Sequence, residues 1–236
     1  MRGTTSVIMI QWSHTTEAAN RLFVAACVLG CAIVRADDPK TPAQDDTQEA
    51  AAAKFLLAVV DSIQVKLVDD KDADAIKPQR TPLLKYSDPA RGYLGAGIWR
   101  LGNSARPHGL LALEYRRRDT GAAFALGYEL VSFTPQKLEM TSGKQPMVLR
   151  TDGSCAQFTT LSGAPTPAAS DRQRLAQMRS LARRFSGTEH YKGETYALRL
   201  VPQPIDRYQD VDAKIVDGAA FILAYGTNPE LVLLIE

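Results

Sequence analysis

The chain is poor in histidine and cysteine and has almost no excess of either charge. In 236 residues there are three histidines and three cysteines, and 28 basic residues face 26 acidic ones. Cys27 and Cys31 fall in one apolar run near the start, so a chain that loses that run keeps Cys155 alone. Such a chain forms no internal disulfide and is held together by packing. Nothing beside Cys155 in T-D-G-S-C-A-Q-F would lower its pKa, which makes it a small half-buried side chain rather than a nucleophile.

His14 precedes the same run, which leaves His108 and His190, and E-H-Y around His190 reads as a turn. Neither has ligands at metal spacing, so no metal site is expected. A Ser-His-Asp triad would have to recruit one of the two, and no G-x-S-x-G elbow occurs. G-A-G before Ile98 lies within a strand-like stretch rather than ahead of a helix, so no phosphate loop and no cofactor are implied. The balance of charge tightens once the start is set aside. Three of the 28 basic residues and one of the 26 acidic ones precede Asp37, which leaves 25 of each. Broad attraction to nucleic acid or anionic lipid has no basis there.

Long hydrophobic runs are missing too. The uncharged run Leu22 to Val34 follows Arg21 and is short of the roughly 20 apolar residues a membrane span needs. It suits the core of a secretory leader, with Val34 and Ala36 meeting the small-residue rule for a cut after Ala36. Residues 1–36 are therefore expected to be a signal peptide, and the protein to be exported to the periplasm or beyond. Two other fates stay open: V-L-G-C loosely fits acylation at Cys31, and the run could stay as an uncleaved anchor. Those are the only routes to a membrane. The leader's start is long and weakly basic, and initiation at Met9 would shorten it.

Beyond the leader the chain has a clear order. Residues 37–48, D-D-P-K-T-P-A-Q-D-D-T-Q, read as a flexible acidic lead, and 49–236 as a single domain. Glu49 to Val60 is rich in helix formers. Ser62 to Val68 alternates as a half-buried strand. Tyr93 to Leu101, Gly109 to Arg117 and Phe124 to Phe133 form a meander, with Gly95, Gly97 and Gly127 marking curvature or close backbone approach. Signals weaken from Thr134 to Thr160. Tyr196 to Val201, Gly218 to Tyr225 and Leu231 to Ile235 close the chain as strands, the last pair joined by a G-T-N-P-E turn with Gly226 at positive φ and Pro229 fixing the exit. The final apolar strand belongs deep in a sheet.

The organising element is the helix from Ser170 to Gly187. Ser170 and Gln173 make a capping box, Gly187 closes the far end, and Leu175, Met178, Leu181, Ala182 and Phe185 form a stripe about 120° wide. The pattern predicts an α+β fold, a curved antiparallel sheet packed on one main amphipathic helix.

The stretches Ala164 to Ser186, Leu198 to Tyr208 and Asp217 to Glu236 resemble a group of exported bacterial proteins of unknown function. That resemblance implies a leader and a shared fold, with no activity, substrate or cofactor attached.

Two sets of residues are candidates for chemistry. Glu114 and Glu129 lie on neighbouring strands and could act as acid and base on a glycosidic bond, unless each faces solvent or pairs with Arg116 or Arg117. Arg172, Arg179 and Arg183 project within about 40° of one another beside the apolar stripe and could grip an anionic ligand or an envelope partner, or simply cover the core edge. The reading is a non-enzymatic binding or structural module of the cell envelope, with a carbohydrate hydrolase or a small-ligand carrier as alternatives.

Overall fold

The computed structural model describes residues 5–11, 30–34, 44–69, 74–88, 92–103, 105–117, 124–143, 148–151, 158–191 and 193–236. Among these the elements run β1 (Ser6–Gln11), β2 (Gly30–Val34), α1 (Gln44–Val60), β3 (Ile63–Leu67), β4 (Leu84–Asp88), β5 (Tyr93–Leu101), β6 (Gly109–Arg117) and β7 (Phe124–Ser132). Then come β8 (Leu138–Ser142), β9 (Val148–Arg150), β10 (Thr159–Thr160), α2 (Asp171–Ala182), β11 (Thr188–Tyr191), β12 (Glu194–Ala197), β13 (Arg199–Leu200), β14 (Asp206–Asp210), β15 (Ile215–Tyr225) and β16 (Asn228–Ile235). Every strand pair is antiparallel. The residues gather into two compact units, one of Met1–Ser13, Ser104–Arg106 and Ala156–Glu236, the other of His14–Asn103 and Pro107–Cys155.

The first unit is built on a sheet in the order β10-β1-β16-β15-β13, with β14 also paired to β15. β16 runs between β1 and β15, so the last apolar strand is interior, as its composition requires. Residues 226 and 227 turn the β15–β16 hairpin, Gly226 at φ +60, and Tyr225 pairs with Asn228. Pro229 does not fix the exit; it stands inside β16 opposite Ala224, where the register shifts. One face of this sheet presents Ala219, Phe221, Leu223, Leu231, Leu233 and Ile235 to Met178, Leu181 and Ala182 of α2, with Leu175 and Phe185 packed at the margin. The 3.6-residue stripe and the two-residue strand period therefore meet in one core. At the head of α2, Ser170 Oγ accepts from the Gln173 N–H, which makes the N-cap, while Gln173 Oε1 accepts from the Ser170 hydroxyl rather than from its backbone N–H, so only half of the expected capping box forms. The far end differs from expectation: α2 stops at Ala182, and Arg184 and Phe185 donate to the carbonyls of Leu181 and Ala182. Gly187 lies beyond the helix, in close approach to the core, where a Cβ would stand 3.2 Å from Leu198 and 3.3 Å from Leu231.

The second unit holds a sheet in the order β2-β7-β6-β5-β4 and a smaller one in the order β3-β8-β9. Their shared core joins Trp99, Leu111, Leu113, Leu126 and Leu130 to Ile63, Val65, Leu138 and Met140, and α1 adds Leu56, Val59 and Val60. Gly95 lets α1 approach β5 closely, because a Cβ there would stand 3.0 Å from Ala52.

The α+β class stands, but a single curved sheet on a single helix does not. Four sheets and two helices are present among the described residues. The physical reason is that α1 carries an apolar face of its own, and that β3, β8 and β9 supply a second apolar layer to the same core. Several elements depart from the sequence pattern, and the strand expected over Tyr196 to Val201 is divided between β12 and β13. β1 and β2 fall inside the segment that reads as a leader, β8 falls where the alternation fades, and α1 begins at Gln44, inside the stretch that reads as lead. The cut after Ala36 and residues 37–43 lie outside the described residues. Cys31 sits in β2, its backbone opposite Gly127.

Candidate functional site

The site grows from one arginine that the helix turns inward. Arg174 lies inside the apolar stripe, one turn before Met178, and is buried. A guanidinium there must find partners for all its donors. Its Nε donates to Asp217 Oδ2 at 2.9 Å, its Nη1 to the carbonyls of Ala168 and Ala169 at 3.1 and 2.8 Å, and its Nη2 to Asp171. Asp217 heads the apolar run of β15 and faces α2 in the same row as Ala219 and Phe221. From the neighbouring strand β14, Arg207 closes the carboxylate from its other side, Nε to Oδ1 at 2.9 Å and Nη2 to Oδ2. A buried carboxylate between two arginines fixes α2 on the sheet. Gln177 completes the anchorage: its amide holds the backbone of Thr166 and Ala168, pinning the proline lead to the helix.

A second network lies beside the first. Arg106 grips Glu236 with Nε and Nη2, stacks over Phe158 at 4.1 Å, and donates its backbone N–H to Asp210. Tyr208 donates to Glu236 Oε1 at 2.7 Å. It reaches across because Gly218 has no side chain, since a Cβ there would meet the Tyr208 ring at 2.4 Å. Burial, and then the charge of Glu236, push the Tyr208 phenol far above its ordinary pKa, so it stays a donor. The β14–β15 turn is shaped by Asp210, whose carboxylate accepts the Ala213 N–H at 2.8 Å. That bond, and next the one from Arg106, hold the Asp210 carboxyl below its usual range. The turn ends on Lys214 at φ +59, the one non-glycine residue with positive φ among the described residues.

Between these networks lies a cleft of about 230 Å³, entirely within the first unit. Met178, Leu181 and Ile215 give it an apolar wall, and Arg106, Arg174, Lys214, Asp217 and Glu236 give it charge. Both carboxylates are already held by arginines, and Arg174 has four of its five N–H donors committed. Lys214 is exposed at the rim and forms no ion pair among the described residues.

The residues singled out in the sequence land elsewhere. Arg172 and Arg183 are exposed, and Arg179 donates to Gln203 Oε1, so the three arginines do not line the cleft. The sequence reading missed Arg174, although at 100° per residue it falls between Leu181 and Phe185 within the stripe, and a charge so placed is the signal that could have found the buried pair. Glu114 and Glu129 do not face solvent: they are 9% and 5% exposed, one diagonal step apart on the same face of β6 and β7. Tyr86, which reaches that face from β4, donates to Glu114 Oε1 at 2.9 Å. Burial first, then Glu114, drive the Tyr86 phenol well above its ordinary pKa. Gly127 makes room for Glu114, since a Cβ there would stand 3.3 Å from its Oε2.

His190 lies on β11 rather than in a turn, its Nδ1 2.8 Å from Thr195 Oγ1. Cys155 lies outside the described residues. Among those residues no cluster of His, Cys, Asp and Glu could hold a metal ion, and no helix is long and apolar enough to cross a membrane. Comparison with known proteins finds no family model, no curated protein and no solved structure that matches the chain.

Proposed function

We propose that this protein is a non-enzymatic binding module of the cell envelope whose cleft takes a small ligand with an aliphatic body and an anionic end. The observation that carries this is the division of labour among the cleft's charges. Arg106 and Arg174 are spent on Glu236 and Asp217, while Lys214 stands at the rim beside an apolar wall. Non-glycine residues in the left-handed region cost about 1–2 kcal/mol, so a lysine held there at φ +59 points to a use for its charge. The volume is below the roughly 300–1,000 Å³ of drug-sized sites, which restricts the ligand to a short chain or to one end of a longer one. Export rests on the uncharged run behind Arg21.

Hydrolysis of a glycan is the weaker reading. It would require a sugar to reach Glu114 and Glu129, and both are buried.

Hexanoate is a suitable probe. Calorimetric titration should show saturable binding, with hexanol, the uncharged counterpart, bound more weakly. Lys214→Gly should weaken hexanoate by about tenfold, the worth of one charge-assisted hydrogen bond. The same change should raise stability by about 1 kcal/mol by relieving the backbone. Failure of hexanoate to bind, or equal binding by the glycine variant, would sink this reading.

A further inference from the structure

One side of β16 is filled by the segment Ser6–Gln11. Val7, Ile8, Met9, Ile10 and Gln11 stand opposite Ile235, Leu234, Leu233, Val232 and Leu231. Ser6 and Glu236 exchange backbone hydrogen bonds of 2.8 and 2.9 Å. Hydrogen-bonded pairs alternate along an antiparallel ladder, so Ile8 with Leu234 and Ile10 with Val232 are the next two.

Three observations set this strand apart. Its other neighbour, β10, contributes only Thr159 and Thr160, opposite Val7 and Ser6, so the ladder that holds β1 is mainly the one along β16. The receiving strand is uncharged and fully buried from Leu231 to Ile235, on both faces. A bare edge of that composition exposes unpaired backbone groups beside apolar side chains, the condition under which another strand is recruited. Finally, β1 brings matching chemistry: Val7, Ile8 and Ile10 are 9%, 4% and 2% exposed, and the segment carries no charge.

We infer that the β1 side of β16 is a strand-acceptor site whose ligand is an extended, uncharged, aliphatic peptide bound antiparallel. The backbone ladder supplies the affinity, and seats for Val7, Ile8 and Ile10 supply the selectivity. In the intact chain Ser6–Gln11 occupies the site in cis. Removal of the leader opens it, so that a peptide of the same chemistry from a partner replaces the lost strand. That timing rests on the export reading; the site itself does not.

The test uses the full chain with a protease site inserted between Ser13 and His14. After cutting, the short fragment should remain bound through size exclusion. A fluorescent Ser6–Gln11 peptide with a solubilising lysine tail should then exchange into the cut protein and be refused by the uncut one. The same peptide with Ile8→Pro lacks one ladder donor and should compete about tenfold more weakly. Three results would overturn the site: no uptake by cut protein, equal competition by the proline peptide, or loss of the fragment with amide exchange at Leu231–Ile235 unchanged. Mass spectrometry of the exported protein separates the two claims, because a mature N-terminus before Arg21 removes the timing and the export reading with it while leaving the acceptor site standing.

Discussion

Single residues in this protein are placed by the need to satisfy buried charge. Arg174 would be an error inside an apolar stripe were Asp217 not waiting on β15 with Arg207 behind it. His108 shows the same pressure with the opposite answer. Burial, and then the positive charge of Arg100, hold its imidazole below the usual range, so the folded protein keeps it neutral where the unfolded chain would take a proton. A depressed histidine contributes stability that is complete above its unfolded pKa of about 6.5 and is lost as pH falls toward the folded value. Urea unfolding between pH 5 and 8 should therefore show stability rising with pH up to neutrality and then levelling, and His108→Asn should flatten the lower part of that curve. An unchanged slope in the variant would assign the pH dependence to other groups.

At the scale of the element, close approach decides more than propensity does. Ala52 of α1 is fully buried, 3.0 Å from where a Cβ on Gly95 would stand, so helix and strand touch through the two smallest residues available. Ala52→Leu should overpack this contact and cost about 1–3 kcal/mol in a urea titration. Ala52→Gly keeps the approach and should cost only about 1 kcal/mol of helix propensity. Equal costs would mean that the contact is slack.

Legibility in the sequence tracked the same local agreement. β5 and β6 were readable to the residue because apolar runs and the turn residues between them agree there, and the start and buried face of α2 because its cap and stripe agree, though not its end. β8 was not readable, since L-E-M-T-S alternates too briefly between polar neighbours. β1 and β2 were hidden by composition, because an uncharged apolar segment reads equally as leader or as interior strand until its pairing partner is known. The cleft was the least legible part: its lining comes from five separate stretches of chain, and no local pattern announces that Arg106 and Glu236 meet.

For the molecule as a whole, stability should be graded by how completely each strand is enclosed. β15 and β16 are buried on both faces over Ala219–Leu223 and Leu231–Ile235, as are Leu110–Leu113 of β6 and Leu126–Val131 of β7. The hairpin of β11 and β12 has mostly exposed side chains and no third strand among the described residues. Native-state hydrogen exchange should accordingly find the slowest amides in the first group and near-free exchange in the hairpin. Protection of the hairpin equal to that of β16 would contradict the grading.

The pairing of β1 with β16 also sets a clock. Ser6–Gln11 leaves the ribosome ahead of its partner Leu231–Ile235, which emerges more than two hundred residues later. At translation rates of about 5–20 residues per second, the early segment stays without its mate for roughly 10–45 s. Any machinery that reads this segment as an address must do so in that interval, before the sheet of the first unit closes over it.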